Sequence, residues 1–138
     1  SPNNTNFMQL YSRDSGQVTP GDTRIVLTNN DIKFVQQGSG RTVFNIIQTQ
    51  QYQHIAVTGG EYSSGQKIYI NGVLEGGTSL SLGMNNSSGS NNIGSRGNGI
   101  DTFDGQIDDV RIYNTPLSSS QIEQIVENTQ DPSNPVFP

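Results

Sequence analysis

The 138-residue chain has no cysteine and no tryptophan, and only one histidine. The missing cysteines exclude disulfides and thiolate metal sites and leave the redox compartment unreadable. Basic residues are few and scattered: Arg13, Arg24, Lys33, Arg41, Lys67, Arg96 and Arg111. Nucleic acids and anionic membranes are held by clustered Lys and Arg, so with a net charge of -5 neither is an expected partner. No apolar run approaches the ~20 residues that span a bilayer. Glutamate occurs only at Glu61, Glu75, Glu123 and Glu127. No Glu-x-Asp-x-Glu alternation sets two carboxyls on one strand face, the arrangement a retaining glycosidase of this kind would need.

What is present is polar but uncharged. Apolar residues make up 30% and charged residues 14%, and Gly, Ser, Asn, Gln and Thr supply the balance. These residues favour turns and are poor in helix interiors, so the composition predicts an all-β fold. Strand-like runs separated by turn signals fall at 7–11, 24–28, 32–36, 42–47, 54–58, 66–70, 73–75, 78–82 and 106–113. Asn29-Asn30-Asp31 suits a tight hairpin. Asn71-Gly72 supplies the two positive-φ residues that a type I′ turn demands. One helix is expected over about 119–127: Ser118 is its N-cap, Gln121 completes a capping box, and Leu117 can staple to Ile122. Ile122, Ile125 and Val126 form its apolar stripe. Residues 1–130 read as one domain and 131–138 as a Pro-rich tail.

Few residues invite chemistry. His54 has no nucleophile motif near it and reads as a half-buried framework residue. Asp108 and Asp109 are adjacent on an expected strand and therefore point to opposite faces. Asp108, on the side of Val110 and Ile112, is expected to face inward and serve the framework; Asp109, with Arg111 and Tyr113, faces solvent. Asp101 and Asp104 flank Phe103 in a loop, and their oxygens are candidate Ca²⁺ ligands.

Three blocks resemble a known family. They are Tyr52-Gln53-His54-Ile55-Ala56-Val57-Thr58, then Ile68-Tyr69-Ile70-Asn71-Gly72, then Phe103-Asp104-Gly105-Gln106-Ile107-Asp108-Asp109-Val110-Arg111-Ile112-Tyr113-Asn114 with the following Leu117-Ser118. Together they resemble laminin-G-like domains of the concanavalin A-like jelly-roll superfamily, with Tyr52 standing where the family usually has Trp. The resemblance implies a two-sheet antiparallel jelly-roll sandwich with one short C-terminal helix, and framework roles for Tyr52, His54, Asn71, Gly72 and Asp108. It implies a non-catalytic recognition or adhesion module for a glycan or protein ligand, bound at sandwich-end loops or a concave sheet. Tyr62, Asn85, Asn86, Asn91, Asn92, Arg96 and Asn98 are the candidate loop contacts. Some relatives bind Ca²⁺ at a rim. An extracellular, cell-surface or virion-surface setting follows. The alternative is a structural module of an assembly, such as a capsid decoration or tail appendage. Its motivation is a short front end, which predicts that a neighbouring subunit, or the tail through Val136 and Phe137, covers an open sheet edge.

Overall fold

The computed structural model describes residues 7–14, 23–36, 39–60, 65–80, 90–97 and 99–130. Among them are eight strands and one helix: β1 (Phe7–Asp14), β2 (Thr23–Thr28), β3 (Asp31–Gln36), β4 (Ser39–Val43), β5 (Ile55–Thr58), β6 (Lys67–Ile70), β7 (Val73–Gly77), β8 (Ser90–Ile93) and α1 (Ser119–Gln130). The strands form two antiparallel sheets, one ordered β4-β3-β2-β1-β8 and the other β5-β6-β7. The all-β sandwich with one short helix is therefore the observed architecture.

Period-two alternation builds the core. Ile25 and Leu27 of β2 stand opposite Phe34 and Ile32 of β3, and this face meets Ile68 and Ile70 of β6. Ile55 and Val57 of β5, with Ile46 and Ile47, pack around them. Gly76 of β7 lies against β4: a Cβ there would stand 2.7 Å from Val43 Cγ2, so the sheets approach closely only because that side chain is missing. With β7 over β4, the three-stranded layer ends over β2. β1 and β8 extend beyond β5, and Phe103 helps fill the space there by packing on the core.

The turns follow the sequence. Asn71 (φ 51°) and Gly72 (φ 84°) make the two-residue β6–β7 turn, and Asn29 (φ 56°) opens the β2–β3 turn. At α1 the capping box closes in both directions. The Ser118 amide donates to Gln121 Oε1 (2.9 Å), and the Gln121 amide donates to Ser118 Oγ (3.2 Å). Ile122 and Val126 are buried, and α1 seats on the β6–β7 turn, where a Cβ on Gly72 would lie 3.6 Å from Val126 Cγ2.

Three expected strands differ, and one strand arises that was not expected. The strand expected over 42–47 stops at Val43 because Asn45 is left-handed (φ 55°). Of the strand expected over 78–82, residues 81–82 lie outside the described residues and Thr78–Leu80 is irregular: Thr78 Oγ1 accepts the Leu80 amide (3.2 Å), a local bond that turns the chain away from a ladder. Residues 106–113 also form no strand. Asp109 is left-handed (φ 54°) and its amide is held by Asp108 Oδ1 (2.8 Å), which breaks the extended run at its centre. Asp108 is consequently exposed, not inward, correcting its expected framework position. Conversely, β8 arises in a Ser/Asn run with no apolar alternation, because β1 offers it a ladder from Tyr11–Ile93 to Asp14–Ser90.

These placements predict opposite costs. Ile68→Ala, in the fully buried centre, should cost about 2–5 kcal/mol. Asp108→Ala should stay within about 0.5 kcal/mol of the parent, as exposed substitutions do. Urea unfolding of both variants checks the contrast.

Candidate functional site

One end of the sandwich is built almost entirely from side-chain amides. The chain from Phe44 to His54 connects β4 to β5 and closes over the β2–β3 turn. The Ile46 and Ile47 amides both donate to the Asn30 carbonyl at 2.9 Å. Asn30 Nδ2 returns a bond to the Ile47 carbonyl (2.6 Å), and Asp31 Oδ1 accepts the Asn45 amide (2.7 Å). Within the loop, Gln53 Nε2 donates to the Ile46 carbonyl (3.0 Å) while Gln53 Oε1 accepts the Gln48 amide (2.7 Å). Gln51 Nε2 donates to Gln48 Oε1. These bonds stand in for a ladder and fix the backbone, while Ile46 and Ile47 plug the core beneath.

Two aromatic rings are thereby left facing solvent. Phe44 is 73% exposed and Tyr52 68%. The Tyr52 hydroxyl donates to Gln106 Oε1 at 2.5 Å, tying the loop to the chain that follows Phe103. Gln106 then keeps two amide N–H donors for another partner. Tyr52 was expected to serve the framework, and Phe44, Gln48, Gln51 and Gln106 were not anticipated at all. For all but Gln106 the signal in the sequence is the amide-dense run Gln48-Thr49-Gln50-Gln51-Tyr52-Gln53, which contains Tyr52 and follows Phe44.

His54 adjoins this end. Its amide donates to Asn71 Oδ1 and its carbonyl accepts the Asn71 amide, both at 2.8 Å, so the type I′ turn is latched to the start of β5. The ring is half-buried, and its Nδ1 makes no hydrogen bond. Burial pulls its pKa below the ordinary value; Asp109 opposes this and Arg111 adds to it.

Of the anticipated loop contacts, three fall among the described residues, Asn91, Asn92 and Arg96. Tyr62, Asn85, Asn86 and Asn98 lie outside the described residues. Asn91 and Asn92 are on β8: Asn91 Oδ1 accepts the Tyr11 hydroxyl (2.7 Å), and Asn92 Nδ2 donates to the Ser90 carbonyl (2.9 Å). Arg96 is only 8% exposed and faces the Asp101 carboxylate at 4.0 Å, so its guanidinium is inside the loop and not offered to a ligand. That loop is pinned to β1 by the Ser12 hydroxyl on the Ser95 carbonyl (2.8 Å) and the Gln9 amide on the Asp101 carbonyl (2.8 Å). Asp101 is thus committed to Arg96 and Asp104 is exposed; no group of three His, Cys, Asp or Glu side chains that could hold a metal occurs among the described residues.

A laminin-G family model, described as the concanavalin A-like lectin/glucanases superfamily, matches residues 2–123. The chain belongs to that superfamily. No curated protein gives a significant match to this superfamily member. Among solved structures, it is similar to the CBM40 of the Ruminococcus gnavus IT-sialidase, with TM-score 0.73 and 14% identity over 88% of this chain and 75% of that one. It is also similar to an S-layer domain-containing protein (residues 221-444) from Clostridium thermocellum, with TM-score 0.45 and 22% identity over 90% of this chain and 64% of that one. At these identities the likeness to the first concerns the fold, and the second carries no further argument.

Two measurements check this electrostatic picture. Because burial depresses the His54 pKa, the unfolded chain takes up the proton first as pH falls below about 6.5. That contribution to stability is full above pH 6.5, declines as pH falls, and levels off below the folded-state pKa. The histidine signal should titrate in NMR with a midpoint below 6.5, and the stability advantage of the parent over His54→Gln should shrink from pH 7 to pH 5. Calcium takes six to eight oxygen ligands, and Asp101 already faces Arg96. The melting temperature should therefore be the same in chelator and in millimolar calcium.

Proposed function

We propose that this domain is a non-catalytic carbohydrate-recognition module, secreted or displayed at a surface, that holds its glycan on the Phe44–His54 end of the sandwich. The observation that carries the reading is Tyr52, an exposed ring whose hydroxyl is fixed by Gln106. A sugar ring presents C–H groups on its faces and hydroxyls around its rim. An aromatic face accommodates the first at small entropic cost because the ring is already held. Glutamine amides, each both donor and acceptor, suit the second. The groups at this end are binding groups more than acid–base groups: Asp31 is spent on the Asn45 amide. The shared fold with the CBM40, a carbohydrate-binding module, supports the reading by analogy. No described helix is long and apolar enough to cross a membrane.

A second reading, a structural module whose sheet edge is completed by a neighbouring subunit, is favoured by one observation. Among the described residues a three-stranded layer faces a five-stranded one, and Ile93 on β8 is 53% exposed. Sizing at micromolar concentration separates the two, since a subunit-completed sheet requires an oligomer.

On a glycan array followed by calorimetry, Tyr52→Ala should lose about tenfold or more in affinity, about 1.4 kcal/mol, with a melting temperature matching that of Tyr52→Phe. Tyr52→Phe, which keeps the ring and loses the bond to Gln106, should lose less. Undiminished binding by Tyr52→Ala would place the site elsewhere.

A further inference from the structure

Resting on that reading, we infer that Gln106 is the specificity-determining residue of this end and that the sugar it selects carries an acetamido group. Two observations lead there: how Gln106 is held, and which of its atoms are left over.

Gln106 is fixed on both sides. Phe103 packs on the core, and its amide donates to the Gly94 carbonyl at 2.8 Å. A Cβ on Gly105 would stand 2.8 Å from both Cε1 and Cζ of the Phe103 ring. The bare glycine is therefore what lets the chain sit on that ring one residue before Gln106. At the tip of the side chain, Gln106 Oε1 accepts the Tyr52 hydroxyl at 2.5 Å. An unrestrained glutamine loses rotamer freedom when it meets a ligand; here the fold has already restricted it.

The same bond decides what remains for a ligand. The amide oxygen is engaged by Tyr52, so Gln106 presents a nitrogen with two N–H donors. They stand next to a ring that is 68% exposed. The group that suits this pair combines a hydrogen-bond acceptor with an apolar surface. A sugar hydroxyl is an acceptor, but it brings a hydrogen that the Gln106 nitrogen cannot receive. A carboxylate is an acceptor that brings charge. Asp104 and Asp108, both exposed, are each two residues from Gln106, and two residues of chain span at most about 7 Å, so like charge opposes it. Arg111, on the same segment, is held by both oxygens of Asp109 at 2.9 and 3.0 Å. Lys33 and Arg41 are exposed on β3 and β4, in the sheet that does not contain β5, which is why the test includes an acidic sugar. An acetamido group is neutral, and its carbonyl has no hydrogen to place. Its methyl group can lie on the Tyr52 face while the carbonyl accepts from Gln106.

The test uses matched sugars that differ only at C2: the tetramers of β-1,4-linked N-acetylglucosamine and glucose, and the methyl glycosides of N-acetylgalactosamine and galactose. Trigalacturonate is the acidic probe. By calorimetry the acetamido member of at least one pair should bind about tenfold or more tightly than its partner, and more tightly than trigalacturonate. Gln106→Glu keeps an oxygen for the Tyr52 hydroxyl and removes both N–H donors. Its melting temperature should match the parent, while the preference within that pair falls to about twofold or less. Both members are neutral, so the added carboxylate does not itself distinguish them. Equal affinity within both pairs, a preference that survives in Gln106→Glu, or tightest binding of trigalacturonate overturns the inference while sparing the glycan reading. Binding to nothing on the array overturns both.

Discussion

Burial of Ile68 and Ile70 against Leu27, Ile32 and Phe34 is the contact on which the rest depends. In a chain only 30% apolar, few residues are available to join two sheets, and the hydrophobic gain is proportional to the apolar area they remove from water. Concentrating it on β2, β3 and β6 fixes the register of both layers at once. A one-residue slip of β6 would exchange Ile68 and Ile70 for Tyr69 on the inner face. The type I′ turn enforces the same register from the other side, because its two left-handed residues leave β7 only one way to return.

The backbone of the Phe44–His54 end is organised largely by polar groups. Asn30, Asp31, Gln53 and Asn71 each bond backbone groups that no strand satisfies. An unpaired backbone group away from water costs as much as a lost hydrogen bond, so a loop rich in Asn and Gln can be ordered without being apolar. This explains how the sandwich end can hold two rings in solvent: the backbone beneath them is fixed by amides, and Ile46 and Ile47 anchor it to the core. Rigidity obtained in this way lowers the entropy lost on binding.

The regular elements were legible because their signals are local. Asn71-Gly72 states its turn, Ser118 and Gln121 state the helix start, and the alternation in β2 and β3 states the buried face. The superfamily was legible from three separate blocks. The departures arise where a side chain competes with the ladder for the backbone, as Asp108 does at Asp109 and Thr78 at Leu80, since alternation does not reveal which bond wins. The amide–aromatic end was missed for a related reason. Gln48–Gln53 reads as a polar loop, and only the fold brings Gln106, 54 positions away, to the hydroxyl of Tyr52.

The unequal sheets connect these observations. Among the described residues a three-stranded layer faces a five-stranded one, and the chain after Phe103 approaches the end of β8, where a Cβ on Gly94 would lie 3.8 Å from Ile107 Cδ1. Its apolar side chains remain largely outside, Ile112 at 67% exposure, so hydrophobic burial does little to hold it. Its described polar contacts are the bond from Tyr52 to Gln106 and the pairing of Asp109 with Arg111 within the segment. The ring proposed as a stacking surface is therefore also tied to this largely exposed segment.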